Sequence, residues 1–342
     1  MKQNNFNFLR FYFAFVVVIG HLIEISHITA FQKFAPYFST YISVTGFFCI
    51  SGFLISRSYL NTPTLKDYLK KRAARLLPAY LFIILSCAFF LSFLSKYSFS
   101  EYFTHPVFYK YLAANLTFLN FIQPCLPGVF LNNAASCAVN GALWTLKIEV
   151  SFYLIIPILL YFTKKIKSKH FLFVGIYLLS VIYRNLFEYL SNSHGIEYYS
   201  IIARQLPGFM SYFICGIALY FYFEFFIQNK NMLVLFGIIV FVLEHIIGVE
   251  FLTPLALSIM VFYVAFSFRQ LNNFAKHGDI SYGIYIFHYP IMKIASDFGF
   301  FEKFNPVLVS FTIVLLVLLV GYASWHLIEK RFLKITHSTR VE

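Results

Sequence analysis

A chain of 342 residues that is 60% hydrophobic and only 12% charged, with mean hydropathy +0.73, is not a soluble domain, which would be nearer half apolar and a quarter charged. Its net charge of +13 does not mark a nucleic-acid partner, because the basic residues sit at the ends of apolar runs. What remains is a polytopic membrane protein, an all-α integral membrane fold. The 21% aromatic content, mostly Phe, is compatible with a lipid setting.

The first apolar run, residues 8–28, carries Arg10 and His21. No A-x-A-like cleavage site follows it, so it is expected to remain as a helix rather than be removed as a signal. At about 100° per residue, eleven residues make three turns plus roughly 20°, which sets both side chains on one face, roughly 16 Å apart along the axis. The plain reading is an Arg that snorkels and a His bonded to a neighbouring helix. The functional reading is that ionisable groups inside a membrane mark a site.

The second run, residues 38–55, holds Ser51 and Gly52 near its inner end. Small residues there permit close helix approach, and packing alone would explain them. Next comes the cluster Lys70-Lys71-Arg72-Ala73-Ala74-Arg75. Arg72 and Arg75, three apart, share a helical face. A topology-setting basic loop explains the charge, whereas a pair of guanidiniums also suits bidentate phosphate contacts.

After a third run at 76–93 comes the longest extramembrane stretch, 94–142. Within it, residues 107–122 are apolar but interrupted by Asn115 and Asn120, and are expected to be amphipathic or re-entrant rather than spanning. Cys125 and Cys137 fall there, and in an oxidising compartment are expected to pair. Cys49, Cys87 and Cys215 fall in spans and read as small apolar residues.

The fourth run, 143–162, opens Trp144-Thr145-Leu146-Lys147-Ile148-Glu149 and continues to Phe152-Tyr153. Trp144 fits an interfacial belt. Glu149 would lie about 7 Å below that surface, and His21 about 10 Å below the same surface of a ~30 Å core. The similar depths make Glu149 a candidate orienter of a His21 general base. The plainer alternative is a structural Glu paired with Lys147 or a hydroxyl.

Runs at 171–187, 206–227, 232–249 and 251–268 follow. The ninth, 280–295, reads Ser281-Tyr282-Gly283-Ile284-Tyr285-Ile286-Phe287-His288-Tyr289-Pro290. His288 lies in mid-membrane with Tyr282 and Tyr285, and polar groups of this kind line cavities rather than face lipid. The tenth run spans 306–328 and ends in a basic segment. About ten transmembrane helices are therefore expected in one domain, 1–342, with no additional soluble domain. Placing both termini in the cytoplasm puts 19 of the 27 basic residues on the inner side. No zinc-type spacing and no phosphate-binding glycine loop is present, so no metal or bound cofactor is expected.

Five features in order resemble the acyltransferase type 3 family of bacterial integral-membrane O-acyltransferases. They are Arg10-x10-His21, the Ser-Gly-Phe-Leu-Ile stretch from Ser51, Lys71-Arg72-x-x-Arg75 before Leu-Leu-Pro-Ala-Tyr, Trp144-Thr-Leu-x-x-Glu149 followed by Phe152-Tyr153, and Ser281 to Pro290. The resemblance implies transfer of an acyl group, most often acetyl, from cytoplasmic acyl-CoA to a hydroxyl of a cell-surface or secreted carbohydrate or a glycolipid, in the bacterial inner membrane. On it, Arg10 and His21 match the essential pair, with Glu149 as the acid after the tryptophan. Lys71, Arg72 and Arg75 match the acyl-CoA side. Ser51, Trp144, Tyr153, Tyr282, Tyr285 and His288 would border the acceptor cavity. Val150 stands where many members have a second acid, so a carboxylate pair is not implied. A proton-coupled transporter or flippase for a glycan or lipid is the alternative, since buried His, Glu and Arg mark proton pathways too.

Overall fold

The structure is a computed structural model that describes residues 4–131, 136–274, 276 and 278–333. All regular structure among the described residues is helical. The longer helices are α1 (Phe6–Ser26), α2 (Thr40–Leu60), α3 (Leu65–Phe90), α4 (Pro106–Leu116), α5 (Trp144–Lys165), α6 (Lys169–His194), α7 (Leu206–Phe221), α8 (Phe223–Ile247), α9 (Thr253–Ser267), α10 (Ser281–Asp297) and α11 (Pro306–Ser324). α11 runs on through a π-helical turn, Trp325–Glu329.

Every one of the ten expected spans coincides with a helix. Among the described residues eight are long and apolar enough to cross a membrane by length and composition, α7 only together with the short helix Glu197–Ala203 that precedes it. The runs at 251–268 and 280–295 form the shorter α9 and α10, of 15 and 17 residues, so the expected count of about ten is reduced to eight on that criterion. α4 has 11 residues, about 16 Å of helix, and is too short for a ~30 Å core. One boundary differs. The inner segment expected at 228–231 lies inside α8, and the break falls at Tyr222 instead. Gln228-Asn229-Lys230-Asn231 contains neither Gly nor Pro, so nothing stops the helix. Asn229 Nδ2 donates to the Phe225 carbonyl at 2.8 Å, and Lys230 Nζ reaches Ser267 Oγ at 3.1 Å.

The chain forms two compact units, each assembled from segments distant in sequence. The first takes Met1–Arg10, Tyr41–Tyr68 and Ile148–Lys276. Its core is aromatic. Phe6 meets Phe53, Phe262 and Phe266 with ring centroids 5.4–5.5 Å apart, and Phe152 stacks on Phe213 at 3.8 Å. Asn5 Nδ2 donates to the carbonyls of Val264 and Phe268, both at 2.8 Å, so it satisfies acceptors that the end of α9 leaves open. Arg184 is nearly buried and is paired with Glu188 at 2.9 Å and Glu250 at 3.0 Å. Its guanidinium also lies over the Tyr41 ring, 4.4 Å away. Burial pushes the Glu250 carboxyl up from its ordinary pKa, and the Arg184 charge opposes that shift.

The second unit takes Phe11–Thr40, Leu69–Lys147 and His277–Glu342. It holds α3, α4, α10, α11 and the expected Cys125–Cys137 disulfide, which closes a segment of sequence separation 12. Beside the bridge, the Val139 N–H donates to the Pro124 carbonyl at 2.9 Å. Tyr80 stacks on Phe118 at 4.3 Å and donates its hydroxyl to the Asn115 carbonyl, which anchors the end of α4.

In the first unit α2 and α7 cross at backbone contact. A Cβ on Gly52 would overlap the Phe213 carbonyl, and one on Gly216 would overlap that of Cys49. Neither obstacle is a flexible side chain. Gly52→Ala or Gly216→Ala should therefore cost about 1–3 kcal/mol, as overpacking does. Thermal unfolding in detergent should show a lowered midpoint for both. Gly175→Ala on α6, where nothing lies within 4 Å, should show none.

Candidate active site

The site is built around Pro290, inside α10. Pro290 has no N–H, so the carbonyl of Ile286, four residues earlier, loses its helical partner. Inside a membrane such a carbonyl needs another donor. Asn140 Nδ2 supplies it at 2.8 Å. This bond ties α10 to the segment leading into α5. Tyr285 reinforces it, with its hydroxyl 2.7 Å from Thr145 Oγ1. The neighbouring Gly141 admits the Tyr289 ring, since a Cβ there would come within 2.6 Å of Tyr289 Cζ.

Within that frame His288 is fully buried, and its Nε2 lies 2.8 Å from Nδ1 of His21 on α1. The rings are stacked, with centroids 5.1 Å apart and planes 10° from parallel. Tyr289 stands edge-on to the His21 ring, its centroid 5.3 Å away. His288 Nδ1 lies 3.2 Å from the carbonyl of Ile284. That carbonyl can only accept, so it sets the proton order. His288 donates from Nδ1 and, being neutral, accepts at Nε2; His21 then donates from Nδ1 and carries its lone pair on Nε2. A histidine held by one nitrogen, with the other free to take a proton, is the arrangement of a general base and its orienter.

At the other end of α10 sits the basic cluster of α3. Lys71 and Arg72 are half-buried. Arg75 Nη2 donates to Asp279 Oδ2 at 2.6 Å, and its guanidinium lies 5.9 Å from the Trp325 ring centre. Tyr282 donates to the Leu76 carbonyl at 2.9 Å. The hydroxyls of Tyr282 and Tyr285 thus each bond to a neighbouring segment.

The remaining candidates are distributed over both units. Trp144 opens α5 in the second. Arg10, Ser51, Glu149 and Tyr153 belong to the first. Glu149 Oε1 accepts from the Tyr153 hydroxyl one turn further along α5, at 2.5 Å, and the Tyr153 carbonyl accepts from Tyr68. Lys147 Nζ lies over the Phe121 ring at 4.3 Å. Among the described residues, no group of three or more His, Cys, Asp or Glu side chains is gathered so as to hold a metal ion. Tyr289 shares the side of His288 that the sequence pattern gave it, whereas the sequence singled out no role for Asp279 or Asn140. Asp279-x-Ser281 ahead of an apolar run is a helix-start pattern, and Pro290 implies an open carbonyl at Ile286. Both signals were present in the sequence.

Fold and site together define a multi-pass membrane protein with a bonded histidine pair in its helical interior. The chain belongs to the acyltransferase family: a family model described as an acyltransferase domain matches residues 3–326. It is similar to an O-acetyl transferase of Shigella phage Sf6, 24% identical over 341 residues, covering 97% of this chain and 96% of the relative. A second relative, nodulation protein 10 of Rhizobium leguminosarum bv. viciae, is 28% identical over 181 residues, 51% of this chain and 48% of that protein. No solved structure matches.

If His288 orients His21, its removal should matter less than loss of the base. His288→Ala should lower the acyl-transfer rate by roughly one to two orders of magnitude, less than the ~10²–10⁴-fold that general-base catalysis contributes. His288→Gln, whose amide oxygen can accept the same N–H, should retain more. Equal rates for wild type and His288→Ala, measured on folded protein, would remove the orienting role.

Proposed function

We propose that the protein transfers an acyl group, acetyl in the first instance, from acyl-CoA on the cytoplasmic side to a hydroxyl of a carbohydrate or glycolipid, in the inner membrane of a bacterial cell. The single observation that carries the reading is the His21–His288 hydrogen bond in a chain of the acyltransferase family. The similarity to an O-acetyl transferase along nearly the whole of both chains supports oxygen as the accepting atom.

In this reading Lys71, Arg72 and Arg75 take the phosphates of the donor, for which planar, forked guanidiniums are suited. His21 Nε2 accepts the proton of the acceptor hydroxyl as its oxygen attacks the thioester carbonyl. The C–S bond breaks, and the thiolate leaves as the thiol once His21 returns the proton. Atoms and charge then balance with no external acid. His288 keeps the His21 ring in one tautomer through the cycle. A water-poor interior limits hydrolysis of the thioester. Tyr282 and Tyr285 hold α10 in place, and Trp144 and Ser51 are candidates for contact with the acceptor. Arg10, Glu149 and Tyr153 enter through the family resemblance.

The test is purified protein with labelled acetyl-CoA and candidate glycans, following thiol release. Release that depends on the acceptor and is lost in a well-folded His21→Ala supports the reading. Arg72→Ala should weaken donor binding by about 1.5–3 kcal/mol, the cost of one charge-assisted hydrogen bond. That appears as a raised donor KM with the acceptor KM unmoved. Acceptor movement without bond-making, or full activity in His21→Ala, would overturn it.

A further inference from the structure

We propose that Asp279 is a positioning residue for the transfer reaction. It holds the Arg75 guanidinium at the start of α10, so that one helix sets both the donor-binding arginine and the histidine pair. The proposal rests on the reading of Arg75 as part of the donor site.

The Asp279 carboxylate is buried and engaged on both oxygens. Oδ2 accepts from Arg75 Nη2 at 2.6 Å, while Oδ1 accepts the Ser281 hydroxyl at 2.5 Å and the Ser281 N–H at 3.3 Å. Bonded on both sides, it cannot turn without breaking one set. It also sits just ahead of the first turn of α10, where the helix field favours a negative charge. Arg75 is bounded on another side by Trp325. The indole approaches because Gly278, at φ +137°, has no side chain, and a Cβ there would overlap Trp325 Nε1. A guanidinium carries five N–H donors in a fixed plane. Fixing one at Asp279 fixes the direction of the others, which is what a phosphate clamp requires.

The helix that receives this anchor is itself stiffly seated. Gly283 packs on the backbone of α11, where a Cβ would stand 3.0 Å from Gly321 Cα. From Ser281 to His288 is seven residues, two turns, about 10 Å. Asp279, Tyr282, Tyr285 and His288 therefore fix α10 at successive levels, from the arginine cluster to the His21 ring. An ordinary structural ion pair between α3 and α10 would also hold the helices together, but it would have no preference among substrates.

Kinetics separate the two. Asp279→Asn keeps the shape and removes the charge. It should raise the acetyl-CoA KM about tenfold, the scale of a lost charge-assisted contact, with the acceptor KM unchanged and a smaller effect on kcat. Asp279→Glu should recover part of the loss. In an Arg75→Ala background, Asp279→Asn should add nothing further, as expected for residues acting through one another. If Asp279→Asn accumulates poorly, Ser281→Ala removes one of the donors that hold the carboxylate and should shift the donor KM the same way by a smaller factor. Arg72→Ala and Arg75→Ala are measured alongside. If both raise the donor KM while Asp279→Asn and Ser281→Ala do not, the positioning role falls and the donor site stands. If neither arginine variant moves the donor KM, the donor reading falls and the positioning role with it. Losses that multiply in the double variant would also overturn the proposal.

Discussion

A polar group in the interior of a membrane protein must find its partner within the protein, because lipid offers none. The carbonyl of Ile286 shows how much follows from that single demand. Pro290 opens it, Asn140 closes it, and the closing bond determines where α10 lies. Once α10 is placed, His288 is buried at a fixed height, and the only ring nitrogen it can offer His21 is an acceptor. Arg184 obeys the same rule in the first unit, where two carboxylates and an aromatic face surround one guanidinium.

The same demand bears on the choice of orienter. A carboxylate beside a catalytic histidine, as in serine hydrolases, holds the ring and also stabilises the imidazolium. It brings a buried negative charge that must be desolvated. A neutral histidine bonded to a backbone carbonyl, as His288 is to Ile284, brings no buried negative charge to the ring it meets. The arrangement suits a base that must be neutral between turnovers and charged only briefly.

Much of the fold could be read from the sequence because hydropathy over a long window reports burial in lipid directly. It failed at Gln228–Asn231, where a polar stretch is compatible with a helix and only a breaker would have marked an end. The site was legible in part. Arg10 and His21 lie on one helix, so spacing related them. His288 stood out as an ionisable residue in mid-membrane, but its partner is 267 residues away. Depth arithmetic orders residues along the membrane normal and gives no azimuth, so it could not bring His288 to His21. Asp279 was visible as a helix-start residue, and nothing local tied it to Arg75, 204 residues earlier.

The interleaving of the two units bears on how the protein is made. The face of α2 around Gly52 is completed by Phe213, whose codon is translated 161 residues later, roughly 10–30 s at ordinary elongation rates. Until then the helix must be tolerable in the bilayer alone, or be sheltered beside the insertion machinery. α10, with its histidine, tyrosines and buried lysine, is poorly suited to face lipid alone. It leaves the ribosome after α1 and α3, which are then already in the membrane to receive it. Gene order thus spares the cell a long-lived intermediate with a polar helix exposed to lipid, and it leaves His21 without its partner in any chain that terminates before α10.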